Sequence, residues 1–362
     1  VSTVDLHAQR ELFLPLLRGE VVAWPQGLDA TAFIELAQFH GVTCLLIETL
    51  SRLQGVPQGV VQRLQSVGRE RAMWELRNRQ LVRESLDALA AAGIPALVYK
   101  GTALAYSLYT NPVWRMRSDS DVLISEDKLG QACDVLQRLG YRQYGASEEM
   151  IFYKLYFEQS MPEGGVHNID LHWRLNNSVL LSGLFSFDEL MRSAVPVPAL
   201  GPNAQGPADV DALLIACMHR GVHQQAVYTV DELQHYTGDR YIWLKDIDLL
   251  LRRLTPVQWQ DFVGAARRRG LVRICQESIN LSRELFATPL PAGWGQDLSA
   301  RGPGGAADRY LFATPLGRAT RDLGACRSGY EKLRFVARHL LPPVEYMRSK
   351  YADASLQWLP WL

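Results

Sequence analysis

The chain has 362 residues, with 38 Lys plus Arg against 38 Asp plus Glu and a formal net charge of zero. The length suits two domains and a sizeable core, and the balanced charge disfavours long nucleic acid as the main partner, because duplex-binding surfaces carry net basic charge. Five widely spaced cysteines contain no Cys-x-x-Cys pair, and no apolar run approaches the roughly 18 residues of a membrane span, so we expect a cytoplasmic protein with reduced thiols and no structural zinc.

From residue 5 to about 90 apolar residues recur three and four apart, as in Leu12, Leu16 and Leu17, then Phe33, Leu36 and Phe39, which predicts helices. The stretch Glu70 to Ala92 continues this period and stops at Gly93, a helix-ending residue. The pattern then shortens. Ile94 to Tyr99 predicts a buried strand, Gly101 breaks it, and Thr102 to Tyr109 resumes helical spacing. A loop with Asn111-Pro112 leads to Asp119, and Val122-Leu123-Ile124 completes a second buried strand. Glu126 to Leu139 predicts a helix closed by Gly140; Tyr141 to Tyr144, Ile151 to Gln159 and Val166 to Leu175 predict further strands. Prolines and glycines between Pro196 and Pro207 predict a connection. Beyond it Ala212 to Met218, Tyr241 to Leu254, Pro256 to Arg269 and Leu271 to Phe286 carry helical period, and Gly293 to Gly305 predicts a long loop before more helix from Ala307. The expectation is an α/β (α+β) chain. An N-terminal helical region (1–75) and a mixed-sheet core (76–195) are followed by a linker (196–210) and an all-helical C-terminal domain (211–362). The sequence closes on an apolar stretch, Ser355 to Leu362.

Asp119 and Asp121 open the second strand, where side chains two apart share a face and can grip one metal centre. Asp-x-Asp recurs at Asp209/Asp211 and Asp246/Asp248, but in helical surroundings residues two apart diverge by about 200° and cannot chelate as a local pair. Two carboxylates on a buried strand repel one another, so a cation is their natural occupant. Asp170 offers a third carboxylate. It lies on one face of a period-two stretch with Val166, Asn168, His172 and Arg174, while Ile169, Leu171 and Trp173 form an apolar back. Paired beside the Asp119 strand, it would complete a set able to hold two Mg2+ ions, and it could accept a hydroxyl proton. His172, one pleat along, could touch phosphate or acceptor, or be a strand histidine satisfied by a neighbour. Lys100-Gly101-Thr102 joins a strand to a helix, where backbone N–H groups can face an anion and glycine permits close approach; alone, it is also an ordinary turn. Arg115 and Arg117, before the aspartates, carry forked donors suited to phosphate oxygens, although solvent is the default for loop arginines.

The ordered set Lys100-Gly101-Thr102-Ala103-Leu104, Leu108-Tyr109, Pro112, Arg115, Asp119-x-Asp121-Val-Leu-Ile, Leu136, Leu139-Gly140-Tyr141 and Ile169-Asp170-Leu171-His172-Trp173-Arg174 resembles the uncharacterised nucleotidyltransferase family of bacteria, within the DNA polymerase β-like superfamily. The resemblance implies that Gly101 and Thr102, with Lys100 and Arg115 nearby, seat a triphosphate. It also implies that Asp119 and Asp121 are the metal-binding pair and Asp170 the third carboxylate. Thr102 stands where Ser or Gly is usual, and Ser120 where the family usually has an apolar residue. Cys217 to Gly221 and Trp243 to Ile247 also resemble the family. Helical domains of the superfamily close over the nucleotide, which makes His219, Lys245 and Asp246 candidates for substrate contact; the alternative is that His219 is a core histidine and that Asp246 pairs with a basic neighbour. Arg117 and His172 are candidates for substrate contact by their own positions. The implied function is a magnesium-dependent transfer of a nucleoside monophosphate, AMP from ATP by superfamily habit, onto a hydroxyl of a small molecule, peptide or protein. The alternatives are a non-catalytic nucleotide-binding accessory protein of a biosynthetic pathway and an RNA-end nucleotidyltransferase.

Overall fold

Helices α1 (Ala30–Phe39) and α2 (Thr43–Thr49) precede α3 (Gln58–Ala91), an unbroken helix of 34 residues. The computed structural model describes residues 12–144, 153–161, 164–224, 228–230, 233–235, 238–299 and 304–340. Ile151, at the head of an expected strand, and the apolar stretch Ser355 to Leu362 lie outside them. Asp29 caps α1 by accepting from the Thr31 N–H. The helix α3 ends where Gly93 takes a left-handed φ of 69°, so a boundary at residue 75 falls inside it. Its buried face carries Leu81, Val82, Leu86 and Leu89, and also the polar Glu75, Asn78 and Ser85.

Five strands follow: β1 (Ala96–Tyr99), β2 (Ser120–Ile124), β3 (Arg142–Tyr144), β4 (Lys154–Ser160) and β5 (Val166–His172). They form one mixed sheet in the order β1-β2-β5-β4-β3, with β2 and β5 parallel and the other neighbours antiparallel. Helix α4 (Lys100–Ser107) leaves β1 directly, and α5 (Leu129–Arg138) stands between β2 and β3. Alternation sorts the side chains. Val98, Val122, Ile124, Phe157, Ile169 and Leu171 point backward into a cluster with Leu86 and Leu89 of α3 and Leu136 of α5, and Trp173 packs on its edge. Each such aliphatic side chain contributes about 1.5–3 kcal/mol on burial. The opposite face carries Tyr99, Asp121, Asp170 and His172.

Residues 196–210 are packed against the sheet. Val195–Pro196 pairs antiparallel with Gln205–Gly206, and Val197, Leu200 and Ala204 are buried in the back cluster. The C-terminal part contains α6 (Asp209–His223), α7 (Tyr241–Arg253), α8 (Pro256–Arg269) and α9 (Val272–Phe286). It is not wholly helical: Tyr228–Val230 pairs antiparallel with Leu233–His235, and a short helix, Trp294–Asp297, lies in the expected loop. Three- and four-residue elements are too short to show a period. Among the described residues no single helix is long and apolar enough to cross a membrane.

His40 joins the N-terminal helices to α7. Its Nδ1 accepts from the Tyr241 N–H at 3.3 Å, and its ring stacks on Tyr241 with centroids 3.7 Å apart. Burial, and then the Arg240 charge, pull it down from 6.5 to about 3. A depressed histidine contributes stability that is complete above 6.5 and is lost as pH falls toward 3, at about 1.4 kcal/mol per pH unit. Urea unfolding at pH 6 and pH 5 is therefore expected to show a steeper acid loss in the wild type than in His40→Gln, by about that amount. Equal slopes would remove His40 from this role.

Candidate active site

The register of β2 on β5 sets Asp121 directly opposite Asp170, and both are buried. Asp121 Oδ1 accepts from Lys100 Nζ at 2.6 Å and lies 3.0 Å from His172 Nε2; Asp170 Oδ2 accepts from Lys154 Nζ at 2.6 Å. One ligand atom each of Asp121, Asp170 and His172 falls within 4.8 Å of the others. Burial alone would raise Asp121, but the Lys100 charge and the His172 hydrogen bond hold it far below the usual carboxylate range. Asp119, just before β2, makes no ion pair among the described residues. Burial, then the charges of Asp121 and Asp170, push it up to about 7. This donor set fits a hard divalent cation: carboxylate oxygens converge with an imidazole, and two ammonium groups already stand beside them as substitute positive charges.

The turn before α4 departs from expectation. Lys100, not Gly101, adopts the left-handed conformation, with φ 51°, at a cost of about 1–2 kcal/mol. A Cβ on Gly101 would lie 3.3 Å from Arg117 Cδ and 3.4 Å from Arg117 Cβ, so the glycine admits an arginine. The Thr102 hydroxyl faces inward. It accepts from Arg117 Nε at 3.2 Å and sits within donating distance of the Asp119 carbonyl (3.3 Å) and Ser120 Oγ (3.2 Å), which pins α4 to β2. Arg117 in turn meets Glu75 Oε1 at 2.7 Å, Tyr106 donates to the same oxygen, and Ser120 donates to Asn78. The Thr102 and Arg117 side chains are thus committed to a buried polar network beneath the site. The same network accounts for Ser120 where an apolar residue was expected. Glu75 and Asn78 escaped the sequence reading; their signal is an acid and an amide three apart on the inward face of a helix. Gly101→Ala is expected to lower the melting temperature. Arg117, fixed by Glu75, cannot retreat, and overpacking of about 1–3 kcal/mol exceeds the about 1 kcal/mol gained in helix propensity. A thermal melt at or above wild type would contradict this.

Arg115 is also engaged. Its Nε reaches Asp246 Oδ1 at 2.8 Å and Oδ2 at 2.9 Å, its Nη2 reaches Oδ2 at 2.8 Å, and the Tyr109 hydroxyl donates to the same carboxylate at 2.8 Å. This fork ties the loop before β2 to α7. Lys245 turns away from the site to Asp248 at 2.7 Å, which also holds Arg252 and Thr288. Asp246 and Asp248 therefore diverge, and Asp209 and Asp211 go separately to Arg253 and Ser193.

His219 does reach the site. With His223 and Trp243 it forms an aromatic group whose centroids lie 4.4–5.5 Å apart. Burial first, then His223, holds His219 well below its usual value; burial, then Lys100 and Lys154, brings His223 to about 4. Lys154 and His223 escaped the sequence reading; the register of β4 on β5 sets Lys154 opposite His172, and only the histidine one turn beyond His219 was visible in the local spacing. Two clefts meet at Lys100, Ile215 and His219. One includes Lys154, His172, Asn177 and His223; the other runs between α4, α6 and α7 and includes Arg115, Asp246 and Trp243.

A family profile described as uncharacterised nucleotidyltransferase matches residues 26–287, well over half of the chain. No curated protein sequence matches the chain. Among solved structures, an antigenic nucleotidyltransferase-like protein from Paracoccidioides brasiliensis is similar over 60% of this chain and 94% of its own, at 12% identity and a TM-score of 0.37. With its mixed α/β fold and its match across most of the sequence, the chain belongs to the uncharacterised nucleotidyltransferase family.

Proposed function

We propose that the protein transfers a nucleoside monophosphate, AMP from ATP in the first instance, onto a hydroxyl of a small molecule, peptide or protein. The observation that carries this reading is Asp121 opposite Asp170 across the parallel β2–β5 pair, with Asp119 beside them and lacking an ion pair among the described residues. Asp119, Asp121 and Asp170, with His172 alongside, would hold Mg2+, which when bound neutralises phosphate charge and polarises the α-phosphoryl group. Lys100 and Lys154 are placed to shift from carboxylate to phosphate oxygens. No side chain caps α4, leaving its first-turn N–H groups suited to an anion. The acceptor oxygen forms a bond to the α-phosphorus, its proton passes to the Asp170 carboxylate, and the bond to the β-phosphate bridging oxygen breaks. Pyrophosphate leaves with that electron pair, its charge met by the lysines.

A nucleotide-binding accessory role is the second reading, favoured by the two lysines that already neutralise Asp121 and Asp170. Incubation with α-labelled nucleoside triphosphates and a panel of hydroxyl compounds, peptides, proteins and short RNA separates the two. Label transfer in wild type and none in Asp121→Ala is expected for the enzyme. Magnesium-dependent binding without release of pyrophosphate would favour the accessory role.

A further inference from the structure

The strand registers line up one residue from every strand of the mixed sheet. Tyr99 of β1 pairs with Asp121 of β2, Asp121 with Asp170 of β5, Asp170 with Tyr156 of β4, and Tyr156 with Tyr144 of β3. Residues directly opposite one another share a face, so the row crosses the side of the sheet that carries the aspartates. Its two ends differ. At the β1 end Tyr99 is fully buried and α4 starts at the next residue, so the uncapped first turn of that helix stands there. At the other end Tyr156 and Tyr144 are part-exposed, with ring centroids 5.7 Å apart. Lys154 links these rings to the site: its Nζ lies 4.3 Å from the Tyr156 ring centroid while it donates to Asp170 at 2.6 Å. Burial, then the Asp170 charge, push the Tyr144 hydroxyl up to about 12, which sets that hydroxyl within electrostatic reach of the same carboxylate.

In-line displacement holds the attacking and leaving oxygens on opposite sides of the phosphorus. With the leaving pyrophosphate toward α4 and the α-phosphorus over Asp121 and Asp170, the attacking oxygen arrives from the β4 side. Neighbouring strands are about 4.8 Å apart, so Tyr156 and Tyr144 stand about 5 and 10 Å beyond Asp170 along the row. A ring whose hydroxyl reaches Asp170 covers that span, and tyrosine rings offer it a flat apolar face with a polar tip.

Resting on the transferase reading above, we propose that Tyr156 and Tyr144 form the acceptor subsite, and that the acceptor carries its reactive hydroxyl on an aromatic or sugar ring that lies against them. Asp170, next in the row, takes the proton of that hydroxyl.

The test uses the full chain and an uncharged fluorescent glycoside, 4-methylumbelliferyl β-D-glucopyranoside, which presents both kinds of ring. Fluorescence polarisation follows its binding with and without Mg2+ and α,β-methylene-ATP, an analogue that cannot release pyrophosphate. Calorimetry follows Mg2+–ATP, and thermal melts follow folding. Saturable probe binding is expected in wild type. It should weaken about tenfold or more, equivalent to about 1.4 kcal/mol, in Tyr156→Thr and in Tyr144→Thr, which remove the ring and keep strand propensity. Tyr156→Phe and Tyr144→Phe, which keep the ring, should stay within about threefold of wild type, as should Mg2+–ATP affinity in all four variants. Because β3 is an edge strand, Tyr144→Thr keeps the test open if Tyr156→Thr does not fold. A tyrosine pair that serves only the sheet would lower the melting temperature of the Thr variants and leave probe binding unchanged. That result, or no probe binding in wild type, would overturn the proposal. So would displacement of the probe by the ATP analogue, which would assign the rings to the nucleobase. Absence of Mg2+–ATP binding in wild type would instead sink the transferase reading, and the acceptor subsite with it, whatever the probe does.

Discussion

Asp121→Asn is expected to reduce nucleotidyl transfer by about a thousandfold or more while leaving the protein folded. Asparagine keeps the volume of the side chain, and its carbonyl can still accept from Lys100 and His172, which now hold Asp121 at 2.6 and 3.0 Å. What it lacks is the charge. A carboxylate that holds the cation and offsets developing phosphate charge is worth several kcal/mol in the transition state, and each 1.36 kcal/mol is about a factor of ten in rate. The folding cost is smaller, because Lys100 is part-exposed and can turn its ammonium to water. Transfer assays beside thermal melts read the two effects apart. Activity within about tenfold of wild type would remove Asp121 from the chemistry.

The largest effect on stability is expected at Arg115. Arg115→Met leaves Asp246 buried with Tyr109 as its remaining partner at this junction, and stranding one member of a buried ion pair costs about 3–5 kcal/mol. At about 2–4 °C per kcal/mol for a domain of 150–250 residues, the melting temperature should fall by about 6–20 °C. Arg115→Lys should recover little, because an ammonium cannot reproduce the fork. Arg115→Met with Asp246→Leu should recover much of the loss, since replacing both partners removes the stranded charge. Strictly additive losses in the double variant would show that the two side chains are not coupled. Loosening this pair would also free α7 from the loop that leads into Asp119.

Much of this was legible in the sequence, and for definite reasons. Period-two alternation around Asp170 fixed which residues of β5 face the site, and Val122-Leu123-Ile124 marked β2 as buried on both sides. The helical surroundings of Asp209/Asp211 and Asp246/Asp248 correctly barred them from acting as local pairs. What escaped is what depends on long-range packing. Thr102 and Arg117 look like phosphate ligands beside a glycine turn, yet α3 brings Glu75 to Arg117 and Asn78 to Ser120, and Thr102 bonds to both Arg117 and Ser120. Lys154 lies on a strand whose register against β5 no local pattern reveals, and Lys245 is claimed by Asp248 within its own helix. The Pro- and Gly-rich stretch reads as a connection because its apolar residues, Val197, Leu200 and Ala204, lack a period; the sheet nonetheless buries them.

The most direct test of the central claim is calorimetric titration of ATP into the wild type and Asp121→Asn, each with Mg2+ and with EDTA. Binding by the wild type in Mg2+ that disappears in EDTA and in Asp121→Asn is the predicted result. ATP binding of equal strength with and without the cation, or none under any condition, would contradict it.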